Sequence, residues 1–145
     1  MDLFTAMRIA SMGMAAQRTR LEVSSSNLAN AQSTRTAEGG PYKKKNPVFS
    51  EVKASTFEKA LDRVSKKLSG VQVSSIQTDN TAGPRLYDPG HPDADKDGYV
   101  NMPNVNVVTE LTDIMATSRS YEANVTSMKA AKEMINSVLS IGRNG

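Results

Sequence analysis

The last third of the chain carries an uninterrupted helical pattern that the rest of the fold must accommodate. Residues 105–141 contain no Pro or Gly, and their apolar and small residues recur every three or four positions, which keeps one stripe of an α-helix on one face. The stripe consists of Val107, Leu111, Ile114, Ser118, Tyr121, Val125, Met128, Lys132, Ile135 and Leu139. Such a helix is about 55 Å long, longer than a domain of this size is wide. We therefore expect a coiled-coil-like seam that packs against another long helix.

The ends of this predicted helix carry suitable capping residues. Asn104 or Asn106 can begin it, because Asn accepts hydrogen bonds from the first free amides of a helix. Glu110 and Asp113 lie near the positive end of the helix dipole, and Gly142 follows the last apolar residue. Sequence pattern and capping residues therefore agree on a single long C-terminal helix.

A second amphipathic stripe begins near the N-terminus. It consists of Leu3, Met7, Ala10, Met14, Gln17, Leu21, Ser24 and Leu28. Beyond it the segment SSSNLANAQST, residues 24–34, is small and polar, so it fits either a fraying helix end or a close helix contact. The predicted fold is mainly α, with two long terminal helices forming a coiled-coil-like arm.

The middle of the chain favours a small β-rich or irregular module. Gly and Pro mark a loop at 35–47, Phe57, Leu61, Val64 and Leu68 share a helical face, and residues 71–79 are β-branched and nearly alternate. We divide the chain into an N-terminal helix at 1–34, a middle module at 35–102 with a helical insertion at 53–69, and a C-terminal helix at 103–145.

Residue composition argues against catalysis. The chain has no Cys and a single His, His91, so it lacks the residues for the usual zinc, thiol or triad chemistry. No phosphate-binding Gly motif or nucleophile elbow is present. We therefore predict no catalytic residues, no bound metal and no cofactor.

Charge and hydropathy limit the classes of partner. The net charge of +3 is too weak to indicate nucleic-acid binding. Lys43, Lys44 and Lys45 form the strongest basic run, which fits a solvated strand edge better than a contact with an anionic polymer. No apolar run is long enough to insert into a membrane, and the first residues lack the pattern of a cleaved secretory signal.

An Asp-rich segment imitates part of a calcium-binding loop. Asp93, Asp95 and Asp97 alternate and are followed by Gly98, but the twelfth position, where a bidentate Glu is expected, is Asn104. We expect an Asp-rich turn here, with a cation site as the alternative.

Three segments together resemble a known family. SSSNLANAQST, YDPGHPDADKDGYVNMPNVNVV and ELTDIMATSRSYEANVTSMKAAKEMI are similar to the bacterial flagellar rod, hook and filament axial proteins, and most of all to the proximal rod of the basal body. The resemblance implies a structural subunit whose terminal helices become coaxial in a tube that surrounds the export channel, crosses the periplasm and transmits torque.

The resemblance also implies partners and a location. They are copies of the chain and other rod proteins in a helical assembly, the flagellar export apparatus during secretion without a cleaved signal, and peptidoglycan or ring contacts around a periplasmic rod. The residues expected to form subunit contacts are Leu3, Met7, Met14, Leu21, Asn27, Leu28, Asn30, Leu111, Ile114, Ser118, Tyr121, Asn124, Val125, Met128, Ile135 and Leu139.

Two other interpretations stay open at this point. A cytoplasmic coiled-coil adaptor would use the same two stripes to bind partner helices, and a calcium-dependent or polysaccharide-acting envelope protein would use the Asp-rich turn and the lysines. Ordering a long helix costs about 1 to 2 kcal/mol per residue, and an isolated helix is near balance in water. We therefore expect the arms to fold together with assembly.

Overall fold

The computed structural model describes residues 3–52 and 69–143. The elements are α1 (Leu3–Ala29), β1 (Lys45–Val52), β2 (Gly70–Thr78), β3 (Arg85–Tyr87), β4 (Tyr99–Asn101) and α2 (Val107–Arg143). Two long terminal helices and a small strand region between them confirm the predicted fold class in outline. The helical insertion expected at 53–69 lies, except for Ser69, outside the described residues. Within the described residues, neither long helix is apolar enough to cross a membrane.

The two long helices pair antiparallel. Arg20 near the end of α1 bonds to Asp113 near the start of α2 at 2.9 Å, whereas Gly13 lies against Asn124, further along α2. Helix α1 continues through Ser24, Ser25 and Ser26 and ends at Ala29. The small residues of this segment therefore lie inside the helix, where they allow close approach of its neighbours, and the turn follows them.

The face along which the helices pack matches the predicted seam only in part, because Ile114, Ser118, Val125, Met128 and Ile135 are half-buried. Val107, Leu111, Tyr121, Lys132 and Leu139 of that seam are exposed on α2. The buried residues of the helix pair are instead small or polar, namely Ala10, Ala16, Val23, Ser24, Asn27, Glu110, Thr117 and Ala131. Small side chains let two backbones approach closely, so the contact shifts onto them and leaves larger apolar residues outside. A coiled-coil geometry is not confirmed.

The start of α2 confirms one of the two predicted caps. The Asn106 side-chain oxygen accepts a hydrogen bond from the Thr109 amide at 3.2 Å, which is the usual geometry of an N-cap. Asn104 has another role, since its side-chain oxygen accepts a hydrogen bond from the Lys44 amide at 2.9 Å. Asn104 thereby attaches the segment before α2 to the segment before β1.

Strands β1 and β2 form an antiparallel hairpin in which Lys45 pairs with Thr78 and Val52 pairs with Gly70. One face of this hairpin lies on α1, because a Cβ at Gly70 would stand only 2.6 Å from the Met12 sulfur. The absence of a side chain at Gly70 leaves room for the Met12 thioether to lie against the strand. Strand β2 confirms the β pattern of residues 71–79, whereas β1 begins at Lys45, within the segment predicted as a loop at 35–47.

Strands β3 and β4 form a second short antiparallel pair that is linked by the Asp-rich turn. The Asp95 carboxylate accepts hydrogen bonds from the Tyr99 amide at 2.8 Å and the Asp97 amide at 3.0 Å. The Tyr99 bond is the main reason that the pKa of Asp95 lies below its usual value. Gly98 adopts a φ of 81°, which permits the sharp turn.

Candidate functional site

A buried polar cluster joins both helices to the middle module. We call Asn27, Tyr42, Lys44 and Glu110 the polar junction. Asn27, on α1, is only 1% exposed, and its side chain satisfies all of its hydrogen-bonding positions. Its amide nitrogen donates to the Glu110 carboxylate at 3.2 Å and to the Lys45 carbonyl at 2.9 Å. Its oxygen accepts from the Tyr42 hydroxyl and the Lys45 amide, both at 2.9 Å.

Glu110 places a carboxylate inside the first turn of α2. Its side chain is 1% exposed, and the Lys44 ammonium lies 2.7 Å from Oε1. Oε1 makes no hydrogen bond of good geometry with the described residues, so the short distance marks a contact between charges rather than an aligned hydrogen bond. Burying an unpaired carboxylate is costly, and Lys44 is therefore required to neutralise it. The helix N-terminus also favours the negative charge.

The turn after α1 is ordered by its own side chains. The Asn30 amide nitrogen donates to the Ser26 carbonyl at 2.9 Å, and the Ser33 hydroxyl donates to the Asn30 oxygen at 3.1 Å. The Tyr42 amide donates to the Ser33 carbonyl at 2.9 Å. This chain of bonds returns the backbone from the end of α1 to the polar junction, where Tyr42 and Lys44 reach their partners.

Further along the arm the helix contact is made by small residues. A Cβ at Gly13 would lie 2.9 Å from the Asn124 side-chain nitrogen, so glycine lets α2 bring an amide against the α1 backbone. Ala10 and Ala16 on α1 and Ala131 on α2 are also buried. The Thr117 hydroxyl oxygen is buried and has no hydrogen-bond partner among the described residues. This part of the arm gains little from apolar burial.

Large apolar residues lie on the outside of α2. We call Val107, Val108, Leu111 and Met115 the outer stripe, whose exposures are 43%, 72%, 45% and 59%. Val107, Leu111 and Met115 are four residues apart and share one side of the helix. Met134, Val138 and Leu139 are exposed near the far end of α2. A contiguous apolar surface of this kind indicates a protein–protein contact.

The expected subunit-contact residues fall into three groups. Asn27 is buried, whereas Leu111, Tyr121 and Leu139 are exposed. The half-buried residues are Met7, Met14, Leu21, Leu28, Asn30, Ile114, Ser118, Asn124, Val125, Met128 and Ile135. The side chain of Leu3 lies outside the description. The structure contains a single chain, so the role of these residues in contacts between subunits stays a prediction.

Sequence reasoning missed three members of the polar junction. Tyr42 and Lys44 belong to a segment interpreted as a loop with a solvated basic run, and Glu110 was assigned only to the helix dipole. The predicted solvated edge is wrong for Lys44, because its side chain is 22% exposed and pairs with Glu110. The seven-residue spacing of Glu110, Thr117 and Asn124 puts them on one face of α2, but all three residues are polar, so this spacing does not by itself indicate burial.

The site contains packing and polar-contact residues. Among the described residues, no three His, Cys, Asp or Glu side chains are grouped so that they could hold a metal. His91 belongs to the turn, where its Nδ1 accepts a hydrogen bond from the Asp93 amide at 3.0 Å. The arrangement is suited to holding helices and strands in fixed positions.

Comparisons with known proteins agree with this arrangement. Residues 7–35 match the family "Flagella basal body rod protein", and residues 96–141 match "Flagellar basal body rod FlgEFG protein C-terminal". The flagellar basal-body rod protein FlgC of Borreliella burgdorferi is 40% identical over 97% of this chain and 98% of its own. FlgC of Bacillus subtilis is 38% identical, and FlgC of Salmonella typhimurium 39%, each over 99% of this chain and all of its own.

Both matched segments coincide with elements that build the arm. The first covers most of α1 and the turn that follows it, including Asn27, and the second covers β4 and nearly all of α2, including Glu110. Relatives at this identity over nearly the whole length show the family. The chain belongs to the FlgC family of flagellar basal-body rod proteins.

Proposed function

We propose that this chain is a structural subunit of the flagellar basal-body rod and assembles through its helical arm. Family membership supports a structural role and not an enzymatic one. The observation that carries the mode of assembly is the reversed distribution of residues on α2. The fully buried residues of α2 are small or polar and Ile114, Val125, Met128 and Ile135 are half-buried, whereas the large apolar residues of the outer stripe are exposed.

This distribution is unfavourable for a chain on its own. Fully burying an apolar side chain of this size contributes about 1.5 to 3 kcal/mol, and the outer stripe forgoes about half of that at each of its four positions. Contact with neighbouring subunits recovers this free energy. We infer that copies of this chain and other rod proteins cover the outer stripe, and that the proximal rod is the place of assembly.

The polar junction gives the subunit a way to transmit torque. Asn27, Lys44 and Glu110 connect α1, the start of β1 and α2 through buried contacts. A load applied to the arm is therefore passed to the middle module through short hydrogen bonds and a buried ion pair. Such a connection suits a drive shaft that surrounds the export channel and crosses the periplasm.

The composition of the chain and the packing of its arm are compatible with export in an unfolded form. We propose that the flagellar export apparatus carries the chain in an unfolded form, without a cleaved signal. The sequence contains no Cys, so no disulfide has to form or break during passage. The weak inner face of the arm also lowers the cost of unfolding it for transport and refolding it at the growing end.

Purified basal bodies test the proposed function. We expect this chain to remain in detergent-extracted basal bodies after filament and hook are removed, as detected by mass spectrometry alongside other rod proteins. If the chain is absent from preparations that retain the other rod proteins, its proposed role as a rod subunit is excluded. A soluble, discrete oligomer with folded termini in the cytoplasm would then favour the coiled-coil adaptor.

Hydrogen exchange should show where the arm depends on its neighbours. In the isolated chain we expect rapid exchange at residues 3–16 and 121–143, because this end of the arm is held by small side chains and lies far from the polar junction. The amides of Asn27 and Lys45 should exchange more slowly. In assembled rods the free end should become protected as neighbours cover it.

Strong protection of residues 3–16 and 121–143 in dilute monomer would contradict coupled folding and assembly. Repeating the measurement over a range of protein concentrations provides the control, because protection that comes from self-association increases with concentration.

A further inference from the structure

Besides the Arg20–Asp113 ion pair, the two helices of the arm meet at two further specific contacts. Asn27 bonds to Glu110 at one end of the contact, and Gly13 receives Asn124 two heptads away on both helices. Each contact is a matched pair. A buried amide meets a buried carboxylate in the first, and a residue without a side chain meets a protruding amide in the second.

The other residues between α1 and α2 do not select one position of α1 along α2. The buried ones are small residues such as Ala10, Ala16 and Ala131, which fit many neighbours. A slip of one heptad, about 10.5 Å along the axis, keeps the same helix faces together. It would place Arg20 at the level of Glu110. Arg20 would then lose Asp113, which it contacts at 2.9 Å in the observed alignment, but it could neutralise Glu110 in place of Lys44. The number of charge pairs made by Arg20 therefore does not by itself select one alignment.

We propose that Asn27 and Gly13 together fix the register of α1 against α2. In the slipped alignment Asn27 would lie level with Pro103, before α2 begins, and its side chain would lose the Glu110 carboxylate. Asn124 would lie level with Ala6, whose Cβ occupies the space that Gly13 leaves open. A buried amide without a partner and a steric conflict both oppose the slip.

The register has consequences for the whole subunit. It determines which turn of α2 lies beside the middle module and how far the end of α2 extends beyond the start of α1. A buried polar residue that selects one helix alignment is a well-established use of such groups. In this chain Asn27 does so from the same position where it holds the Lys45 backbone.

Engineered disulfides can measure the register, because the chain has no Cys of its own. Val23 lies four residues before Asn27 and Ile114 four residues after Glu110, so Val23→Cys with Ile114→Cys reports the observed alignment. Val23→Cys with Val107→Cys reports the slipped one, since Val107 lies one heptad earlier. A disulfide requires Cα atoms within about 7 Å, so each pair reports one alignment.

The experiment compares rates of disulfide formation in the full-length chain at low concentration under mild oxidation. With no other substitution, the disulfide between positions 23 and 107, which reports the slipped alignment, should form at about one tenth or less of the rate of the disulfide between positions 23 and 114. Asn27→Ala should raise the slipped rate roughly tenfold relative to the observed one. Asn124→Ala should raise it by a smaller factor, because the end of the arm that contains Gly13 and Asn124 opens readily in the isolated chain.

Ser25→Ala is the matched control. Ser25 lies two positions before Asn27 on α1, but its side chain is exposed, so the ratio should stay at the parent value. Equal rates for the two pairs in the parent chain would overturn the proposal. So would a ratio that neither Asn27→Ala nor Asn124→Ala changes. The disulfide ratio reports the alignment of α1 and α2 within one chain, whereas the basal-body test reports whether the chain is present in the rod. The two tests can therefore fail independently.

Discussion

Replacing Lys44 with Met should destabilise the folded chain by about 3 kcal/mol. Glu110 is 1% exposed, and the Lys44 ammonium at 2.7 Å is its neutralising charge. Met preserves most of the volume of the side chain, so the effect reports the loss of charge. The measurement is urea denaturation followed by circular dichroism and by tyrosine fluorescence, since the chain contains no Trp. Local disruption should also appear as faster exchange of the Lys45 amide, which bonds to Asn27.

Two further variants separate charge from packing. Removing both charges, in Lys44→Met with Glu110→Leu, should recover a large part of the lost stability, because an apolar pair carries no desolvation cost. Arg18→Met breaks an exposed ion pair with Glu22 and should cost less than about 1 kcal/mol. Equal effects for Lys44→Met and Arg18→Met would mean that solvent already screens Glu110.

The two helices and the outline of the fold could be predicted from the sequence. Three-and-four spacing and capping residues are local properties, so they predict α2 and its Asn106 cap without knowledge of the partner. Near-alternation and β-branched residues likewise predict β2. These elements depend mainly on neighbours in sequence, which is the information that a single chain provides.

The packed face of the arm could not be predicted in the same way. Apolar stripes indicate which side of a helix is to be buried, but they do not say whether the neighbour is the same chain or another. In this protein small residues such as Gly13 and Ala131 form the contact within the chain. The larger residues of the predicted seam, including Leu111, are left outside.

The polar junction was hidden for a related reason. Lys44 is separated from Glu110 by more than sixty positions in sequence, and neither residue has a local pattern that marks it as buried. A lysine run is usually solvated, and an acidic residue in the first turn of a helix is usually exposed. Only the return of the chain from α1 to β1 brings the two charges together.

The division between inner and outer faces suits a subunit that folds in two stages. The polar junction provides a specific but limited core, which is sufficient to define the positions of α1, α2 and β1. The apolar residues of the outer stripe are exposed in the single chain, and we propose that contacts between subunits bury them. A chain that buried its large residues internally would have less to gain from assembly.

Replacing Leu111 with Asp should abolish incorporation into the rod while leaving the isolated chain folded. Leu111 is 45% exposed in the centre of the outer stripe, so a carboxylate there remains hydrated in the monomer. At a subunit contact it would be buried without a partner, which costs several kcal/mol. Cells carrying this variant should be non-motile, and their basal bodies should lack the chain on mass spectrometry.

Thr109→Asp is the matched control for this effect. Thr109 is exposed on the same turn of α2 but outside the line of Val107, Leu111 and Met115, and a negative charge near the helix N-terminus is favourable. Both variants should show the circular dichroism spectrum of the parent chain, and only Leu111→Asp should fail to assemble. Normal incorporation of Leu111→Asp would show that the outer stripe stays in solvent within the rod. Loss of assembly in both variants would show instead that the contact extends around α2 to the side of Thr109.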